Sequence, residues 1–231
     1  MKVAVVGAGS VGRSIARELI HNGHEVLLID RDVSQEQTSR VAEASWIIGD
    51  ACEISTLTSA QLEQYDHVVC ATGDDKVNLV VSLLAKTEFA VPRTVARVNN
   101  PRNEWLFNES WGVDVLVSTP RLMTALVEEA VAVGDLVRLF EFQHGKAHMV
   151  ELTLPQDSPH AGHRVSEIAL PDEVQLVTIL RDGRAIIPSP DEAVEGGDEI
   201  LFMCPPEAEH QLALTLNPQS RQREHRDDED D

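Results

Sequence analysis

The sequence has few cysteines, few basic residues and no long apolar run. Its three cysteines, Cys52, Cys70 and Cys204, are widely spaced and form no C-x-x-C pair. This argues against a disulfide scaffold or a structural zinc site and fits a reducing compartment. The chain has 19 Lys and Arg residues against 39 Asp and Glu, which gives a formal net charge of −20. That balance argues against a nucleic-acid-binding surface and disfavours direct adhesion to anionic lipid.

No apolar run approaches the roughly 18 residues that a membrane helix needs. The chain also begins directly with a strand-like segment, so we expect no signal peptide and no direct membrane insertion. At 231 residues, 42% of them hydrophobic, it can bury one large or two smaller cores. We therefore expect a cytoplasmic protein that reaches a membrane only through a protein partner.

The first thirty residues predict a strand, a glycine-rich turn, a helix and a second strand. Lys2–Val6 is a short apolar run, residues 7–12 follow with G-x-G-x-x-G spacing, and Glu25–Asp30 ends on a carboxylate. In such a unit the first glycine permits the tight turn, the second admits a diphosphate, and the third lets helix and sheet pack closely. Amides at the helix start face the phosphates. The residues predicted to line the diphosphate are Gly7, Ala8, Gly9, Ser10, Val11 and Gly12.

Asp30 lies about 20 residues beyond the turn, where a carboxylate accepts hydrogen bonds from an adenosine ribose. A ribose 2′-phosphate would be repelled there, so NAD or another adenine nucleotide is favoured over NADP. Arg31 is adjacent and weakens that exclusion. Two alternatives are open: Asp30 is a surface carboxylate that merely ends a strand, or the crevice binds nothing.

Strands and helices continue to alternate beyond Asp30. We predict strands at 46–48, 67–71, 94–98 and 113–117, and helices at 34–44, 54–64 and 76–87. Alternation of this kind predicts a Rossmann-like doubly wound parallel sheet over residues 1–118. Ligands of such sheets bind beyond the carboxyl ends of the strands, where the strand order reverses.

The polar loops that leave these strands should therefore converge. Asp50 and Ala51 are expected to flank the adenine, although a plain turn explains them nearly as well. After the next strand, a hydroxyl and free N–H groups can reach ribose or phosphate. The residues predicted there are Ala71, Thr72, Gly73 and Asp74.

Arg97 ends an otherwise apolar strand. A guanidinium in that position is costly unless it is paired with an anion, and its planar fork suits phosphate oxygens. The alternative is a salt bridge to a crevice aspartate such as Asp74.

The remainder of the chain has a different pattern. A helix over 119–134 begins at Ser118-Thr119-Pro120, with a hydroxyl at the cap position, and is apolar over a wide arc. It is either a crossover and dimerisation helix or an ordinary last helix of the sheet. Residues 135–216 predict a smaller, strand-rich α+β domain with hairpin turns at 143–146 and 182–183. Residues 217–231 are polar and acidic, which predicts a disordered tail.

Four histidines of this second part lie close in sequence, in the pairs His144 and His148, and His160 and His163. Without a third nearby ligand, solvated histidines are favoured over a metal site. The acidic residues at 191–199 are likewise expected to form a solvated loop rather than a cation site.

Several linked segments resemble the RCK (or KTN) family, and in particular TrkA-like NAD-binding regulatory subunits of Trk-type potassium uptake systems. They are residues 7–12, Asp30, 49–51, 71–75 with Asn78-Leu79, 96–101, 179–183, Pro188 and 197–199. The resemblance implies an RCK N-lobe with a C-terminal RCK domain, and NAD or NADH, with ATP and ADP, as ligands. It further implies homodimers that assemble into a ring beneath a membrane-embedded Trk-type potassium transporter, at the inner face of the membrane.

The competing hypothesis is an NAD-dependent oxidoreductase acting on a small soluble substrate. Such an enzyme needs a general acid or base beside the nicotinamide. Lys76 is the one plausible proton donor at the mouth of the crevice, and the second domain has no recognisable catalytic spacing. We therefore expect a regulatory protein and no enzyme.

Overall fold

The computed structural model describes residues 1–34, 38–131, 133–142 and 147–217. The predictions for the turn at 143–146 and for the tail beyond 217 lie outside the described residues. Residues 35–37 of the helix predicted at 34–44 also lie outside them. Residues 38 and 39 are helical, and residues 40–44 form turns and a bend. The chain divides into two compact units, Met1–Arg121 and a second unit that begins at Leu122.

Six parallel strands form the sheet of the first unit, in the order β3-β2-β1-β4-β5-β6. Since β1 pairs with both β2 and β4, the strand order reverses beside β1 and leaves a crevice at the carboxyl ends. The predicted doubly wound parallel sheet is confirmed. The strands are β1 (Lys2–Val6), β2 (Glu25–Asp30), β3 (Ser45–Ile48), β4 (His67–Cys70), β5 (Arg93–Val98) and β6 (Val115–Ser118).

The helices that begin in this part are α1 (Ser10–His21), α2 (Ile54–Ser59), α3 (Asp75–Thr87) and α4 (Thr119–Val131), and α4 continues into the second unit. Helix α2 is shorter than the predicted 54–64, because Gln61 adopts a left-handed φ of 51° that interrupts it. A separate 3-10 turn, Leu62–Gln64, follows. A 3-10 segment, Pro101–Leu106, follows β5.

Both faces of the neighbouring strands β1 and β2 are buried, which explains why these two strands are apolar runs rather than alternating ones. In β1, Val3 and Val5 belong to one buried cluster, which includes Ala16 of α1. Ala4 and Val6 point the other way and belong to a second cluster. The first thirty residues are thus anchored on two cores.

Strand β6 begins at Val115 rather than at the predicted residue 113, because the Asp114 side chain is engaged in hydrogen bonds. The Thr94 amide donates to Asp114 Oδ2 at 2.6 Å, and Lys86 Nζ lies 2.7 Å from the same oxygen. Burial raises the pKa of Asp114, but hydrogen bonds from Lys86 and Thr94 outweigh burial and lower that pKa below its ordinary value. The ionised carboxylate therefore takes the place of a backbone acceptor at the start of the strand.

The second unit holds a five-stranded antiparallel sheet in the order β10-β9-β11-β8-β7. A buried cluster that includes Ile200, Phe202, Leu212 and Leu216 packs helix α5 against this sheet. The elements are β7 (Val137–Phe142), β8 (Ala147–Thr153), β9 (Gln175–Arg181), β10 (Arg184–Ile186), β11 (Glu199–Cys204) and α5 (Glu209–Leu216). The smaller α+β second part is confirmed.

The predicted hairpin turn at 182–183 and the acidic segment at 191–199 both have structural roles in the second unit. Asp182 and Gly183 both have positive φ, 50° and 72°, as a two-residue hairpin turn requires. Asp198 is buried, and its two carboxylate oxygens accept from Arg181 Nε at 2.7 Å and Nη2 at 2.8 Å. This bidentate pair joins β9 to the turn before β11.

His148 is buried, so the prediction that it is solvated was wrong; its predicted partner His144 lies outside the described residues. The period of two along β8 places His148 on the same buried face as Val150. His160 is half-buried, and its Nε2 lies 2.8 Å from the Thr215 carbonyl oxygen.

The Glu209 carboxylate connects the start of α5 to β7 and β8. Arg138 Nε donates to Glu209 Oε1 at 2.8 Å, and His148 Nδ1 contacts the same oxygen. Burial raises the pKa of Glu209, but hydrogen bonds from Arg138 and His148 outweigh burial and lower that pKa.

Glu209→Gln is expected to lower the free energy of unfolding at neutral pH by about 1–3 kcal/mol, as for other hydrogen bonds to charged groups. Because the pKa is depressed in the folded state, the stabilisation is fully present above the unfolded pKa. It is lost as pH falls through the folded pKa. Urea unfolding from neutral to acidic pH should therefore show the variant and wild type converging in acid. The exposed Glu207→Gln is the control, and a difference that grows in acid would contradict the account.

Candidate functional site

The glycine-rich turn lies at the switch point, against the loop that follows β4. Gly7 has φ of +98°, and a Cβ there would stand 2.8 Å from the Thr72 amide nitrogen. A Cβ on Gly12 would stand 1.8 Å from the Gly7 carbonyl oxygen. The fold itself therefore requires glycine at both positions, whatever binds nearby.

Gly9 differs, because the fold gives no reason for a glycine there. No atom lies within 4 Å of the Cβ that Gly9 lacks, and its φ of −65° suits any residue. Gly73, across the switch point, likewise faces open space. These two openings border the start of α1, where the first amides of a helix have no partners within it. Ser10 and Val11 begin that helix, and the arrangement suits a diphosphate.

Asp30 lies against the turn, as the spacing predicts. Its Oδ2 accepts from the Ala8 amide at 2.5 Å and its Oδ1 accepts from the Asp32 amide at 3.1 Å. The carboxylate is thus held beside the first residues of the turn, where an adenosine ribose is expected. Arg31, also predicted at the site, is exposed and pairs with Asp32 at 3.3 Å.

Asp50 and Ala51 follow β3, next to the strand that carries Asp30. Asp50 is exposed and its Oδ1 accepts from the Cys52 amide at 2.9 Å, whereas Ala51 is buried. The pKa of Cys52 is raised, chiefly by burial. The charge and hydrogen bond of Asp50 raise it further, and so does the charge of Asp74. The thiol therefore stays protonated at neutral pH.

The loop after β4 is organised by Asn78, a side chain that the sequence alone did not assign to the site. Asn78 is fully buried, and its Oδ1 accepts from the Thr72 amide at 3.0 Å and from the Thr72 hydroxyl at 2.6 Å. Ala71 is buried at the end of β4, and Asp74 caps α3 by accepting from the Lys76 amide at 2.8 Å.

Arg97 does not form the salt bridge to Asp74 that was the alternative to anion binding. Its Nε donates to Thr119 Oγ1 at 3.0 Å, and its carbonyl oxygen accepts from Asn78 Nδ2 at 2.8 Å. Among the described residues, no carboxylate lies within ion-pair distance of this half-buried guanidinium. The geometry is compatible with an external anion.

Asp75 is a second residue that sequence reasoning missed. It is 8% exposed and accepts hydrogen bonds from the Asn99 amide and side chain, the Asn100 amide and the Asn103 side chain, at 2.7 to 3.0 Å. Burial raises the pKa of Asp75, but these bonds together outweigh burial and lower it. The run Asn99-Asn100 was the available signal, since amides after a strand need an acceptor.

Arg13 also lies at the turn without having been predicted there. One of its terminal amino groups donates to the carbonyl oxygen of Ala8, the residue whose amide donates to Asp30. It adds positive charge at the start of α1. Its place at the first turn of the helix, directly after the glycine motif, was the signal.

The crevice therefore combines helix-start amides and two open glycine positions with the Asp30 carboxylate and the guanidinium groups of Arg13 and Arg97. These groups fit the phosphates and ribose of an adenine dinucleotide, in which case the turn and Arg97 would hold phosphates and Asp30 a ribose. Within the described part of the chain, no group of three His, Cys, Asp or Glu side chains is placed to hold a metal ion. No described helix has the length and hydrophobicity of a membrane span.

Comparison with known proteins gives two family matches and close relatives. The TrkA-N domain model matches residues 3–119 and the TrkA-C domain model matches residues 149–217. The Trk system potassium uptake protein TrkA of Mycobacterium tuberculosis is 60% identical over 218 residues, which are 94% of this chain and 99% of that protein. A TrkA homolog of Methanothermobacter thermautotrophicus is 31% identical over 209 residues, 90% of this chain and 95% of that one.

Solved structures agree in fold. The GsuK RCK domain aligns with a TM-score of 0.65 at 14% identity, over 93% of this chain and 47% of its own. The GsuK channel bound to NAD aligns equally well, over 92% of this chain and 39% of its own. The chain thus spans less than half the length of these structures, and at that identity the likeness shows the RCK fold alone.

The two domain matches cover the chain in order, and both curated relatives match it over nearly their whole length. The resemblance seen in the sequence is thereby confirmed. The chain belongs to the TrkA family, with a TrkA-N domain followed by a TrkA-C domain.

Proposed function

We propose that this chain is the nucleotide-sensing regulatory subunit of a Trk-type potassium uptake system. The observation that carries the proposal is the crevice, in which Gly9 and Gly73 leave space that the fold does not need, beside Asp30 and the start of α1. The 60% identical relative, named as a potassium uptake protein, supports the transport role. The subunit would act at the cytoplasmic face of the membrane through its transporter partner.

The ligands that fit are NAD, NADH, ATP and ADP, which share an adenosine and at least two phosphates. The ribose hydroxyls would bind Asp30, the diphosphate would bind the amides of residues 8–12, and the far phosphates or ribose would approach Thr72 and Arg97. The Asp30 carboxylate disfavours a 2′-phosphate. The NAD named in the GsuK channel structure is consistent with a dinucleotide in an RCK crevice.

Regulation would proceed by a shift between assembly geometries. Helix α4 exposes an apolar stripe at helical spacing, including Met123, Leu126, Val127 and Val131, each more than half exposed. A second copy of the chain would cover this stripe in a homodimer, and dimers would assemble into a ring beneath the transporter. Only a ligand that binds one geometry more tightly than the other can then gate the pore.

The oxidoreductase alternative gains nothing from the described crevice. Lys76, its expected proton donor, is exposed at the start of α3, and its backbone amide donates to Asp74. Its ammonium group has no hydrogen-bond or ion-pair partner in the part of the chain that the structure describes. Consumption of NADH with a panel of carbonyl substrates would favour the enzyme over the sensor.

The proposal is tested by calorimetric titration of the full chain with NAD, NADH, ATP and ADP, with light scattering of each complex in parallel. We expect saturable binding and a different assembly size or shape for at least two of the ligands. No binding of any of the four would refute the proposal.

The variant Gly9→Ala tests whether glycine at this position is required for ligand binding or for folding. Because no atom lies within 4 Å of the added methyl group, we expect the unfolding free energy to change by at most about 1 kcal/mol. Nucleotide affinity should fall at least about tenfold, since the methyl group enters the diphosphate space. Gly23→Ala, at an open turn far from the crevice edge, is the binding control. Undiminished affinity in Gly9→Ala would contradict the assigned site.

Asp30→Ala is expected to weaken every adenosine ligand by about tenfold to a hundredfold, the value of a hydrogen bond to a charged group. Asp30→Asn keeps one acceptor oxygen and should lose less. Asp32→Ala removes the neighbouring exposed carboxylate and serves as the matched control in the same titrations. A loss restricted to one nucleotide would argue against a ribose contact.

Arg97→Ala should weaken ATP and NADH by at least about tenfold and leave AMP within about twofold, because only the longer ligands reach the guanidinium. Arg93→Ala is a matched control, since Arg93 lies exposed at the other end of the same strand. Equal losses for AMP and ATP would show that Arg97 acts on the fold rather than on a phosphate.

A further inference from the structure

A continuous series of contacts runs from the glycine-rich turn to the first residue of α4. It begins where Gly7 meets the backbone of Thr72, so closely that no side chain fits between them. The turn and the loop after β4 therefore pack backbone against backbone at this point.

Asn78 carries the contact onward to β5. Its amide oxygen accepts from both the amide and the hydroxyl of Thr72, while its amide nitrogen donates to the Arg97 carbonyl oxygen at 2.8 Å. The side chain is wholly shielded from water, so a broken bond here would leave a polar group unpaired. The position of Arg97 is thus set by the same residue that sets Thr72.

Arg97 then reaches α4. Its Nε donates to Thr119 Oγ1, and Thr119 is the first residue of that helix. The preceding Ser118, at the predicted cap position, has a buried hydroxyl with no partner among the described residues. Two polar side-chain contacts to this first turn are seen among the described residues: Arg97 Nε donates to Thr119, and Arg121 Nε lies 2.6 Å from Glu104 Oε2.

A guanidinium can serve two partners at once. It carries five N–H donors in a plane, so Nε can stay on Thr119 while the terminal amino groups bind a phosphate. A bound phosphate would hold the guanidinium from the crevice side and strengthen its hold on the helix. A ligand too short to reach Arg97 would leave that contact as it is.

We propose that the Arg97–Thr119 hydrogen bond couples phosphate occupancy of the crevice to α4, with Thr119 as the positioning residue. This inference rests on the proposed nucleotide binding and specifies how that binding affects α4. The helix that carries the exposed apolar stripe is thereby held in one arrangement by ligands that reach Arg97. Ligands are distinguished by their phosphate length rather than by their adenosine.

Hydrogen–deuterium exchange of the full chain tests the coupling. In the wild type, saturating ATP should slow exchange of the amides of residues 121–131 by about fivefold or more, and AMP by less than about twofold, in the range of ordinary coupling energies. Thr119→Val removes the hydroxyl with little change of shape. It should bind ATP within about threefold of wild type and yet lose the ATP-dependent protection.

The controls separate coupling from general damage. Thr119→Ser restores the hydroxyl and should restore the protection, and Thr124→Val, at an exposed position of the same helix, should leave it unchanged. If Thr119→Val fails to fold, Arg97→Lys decides. A lysine keeps the charge for phosphate but cannot span both partners, so protection should be lost while ATP still binds.

The results of these experiments distinguish a failure of the proposed nucleotide binding from a failure of the proposed coupling. If no nucleotide binds the wild type in calorimetry, the proposed function fails and the coupling fails with it. If ATP binds but leaves exchange in α4 unchanged, or if Thr119→Val keeps the full protection, the coupling is overturned and nucleotide binding stands. Abolished ATP binding in Thr119→Val would also overturn it, because Thr119 would then belong to the binding site.

Discussion

The site depends on how closely two loops approach at the point where the strand order reverses. Gly7 lies against the backbone of Thr72, and Gly12 lies against the carbonyl of Gly7. Both contacts are possible only without side chains, so the turn, the start of α1 and the loop after β4 form one closely packed corner. Asn78 extends that corner to β5 by bonding both Thr72 and Arg97. A ligand in the crevice thus meets a preformed surface.

The charge distribution agrees with this arrangement. The chain as a whole has a net charge of −20, which repels anions at long range. In the crevice, however, Arg13, Arg97 and the amides at the start of α1 provide local positive potential, and these groups act within a few ångströms of a phosphate. The overall acidity therefore limits nonspecific anion binding, while the crevice remains suited to an anion of complementary shape.

Much of this could be predicted from the sequence, because the relevant signals are local. The glycine spacing, the carboxylate at Asp30 and the apolar strands fix the sheet and the turn. Asn78 and the contact from Arg97 to Thr119 could not be predicted, since they join residues 6 and 22 positions apart through side-chain geometry. For Asp75, the run Asn99-Asn100 was a signal that the prediction did not use. His148 was misjudged for a different reason: Glu209, its partner, is 61 residues away, and only the period of β8 indicated burial.

The central claim is that each chain has one crevice shared by all its adenine nucleotides, and a displacement measurement tests it most directly. NADH fluorescence on the full chain should change saturably with one NADH bound per chain, and ATP should reverse the change completely. Simultaneous binding of NADH and ATP, or the absence of any saturable change, would contradict the account.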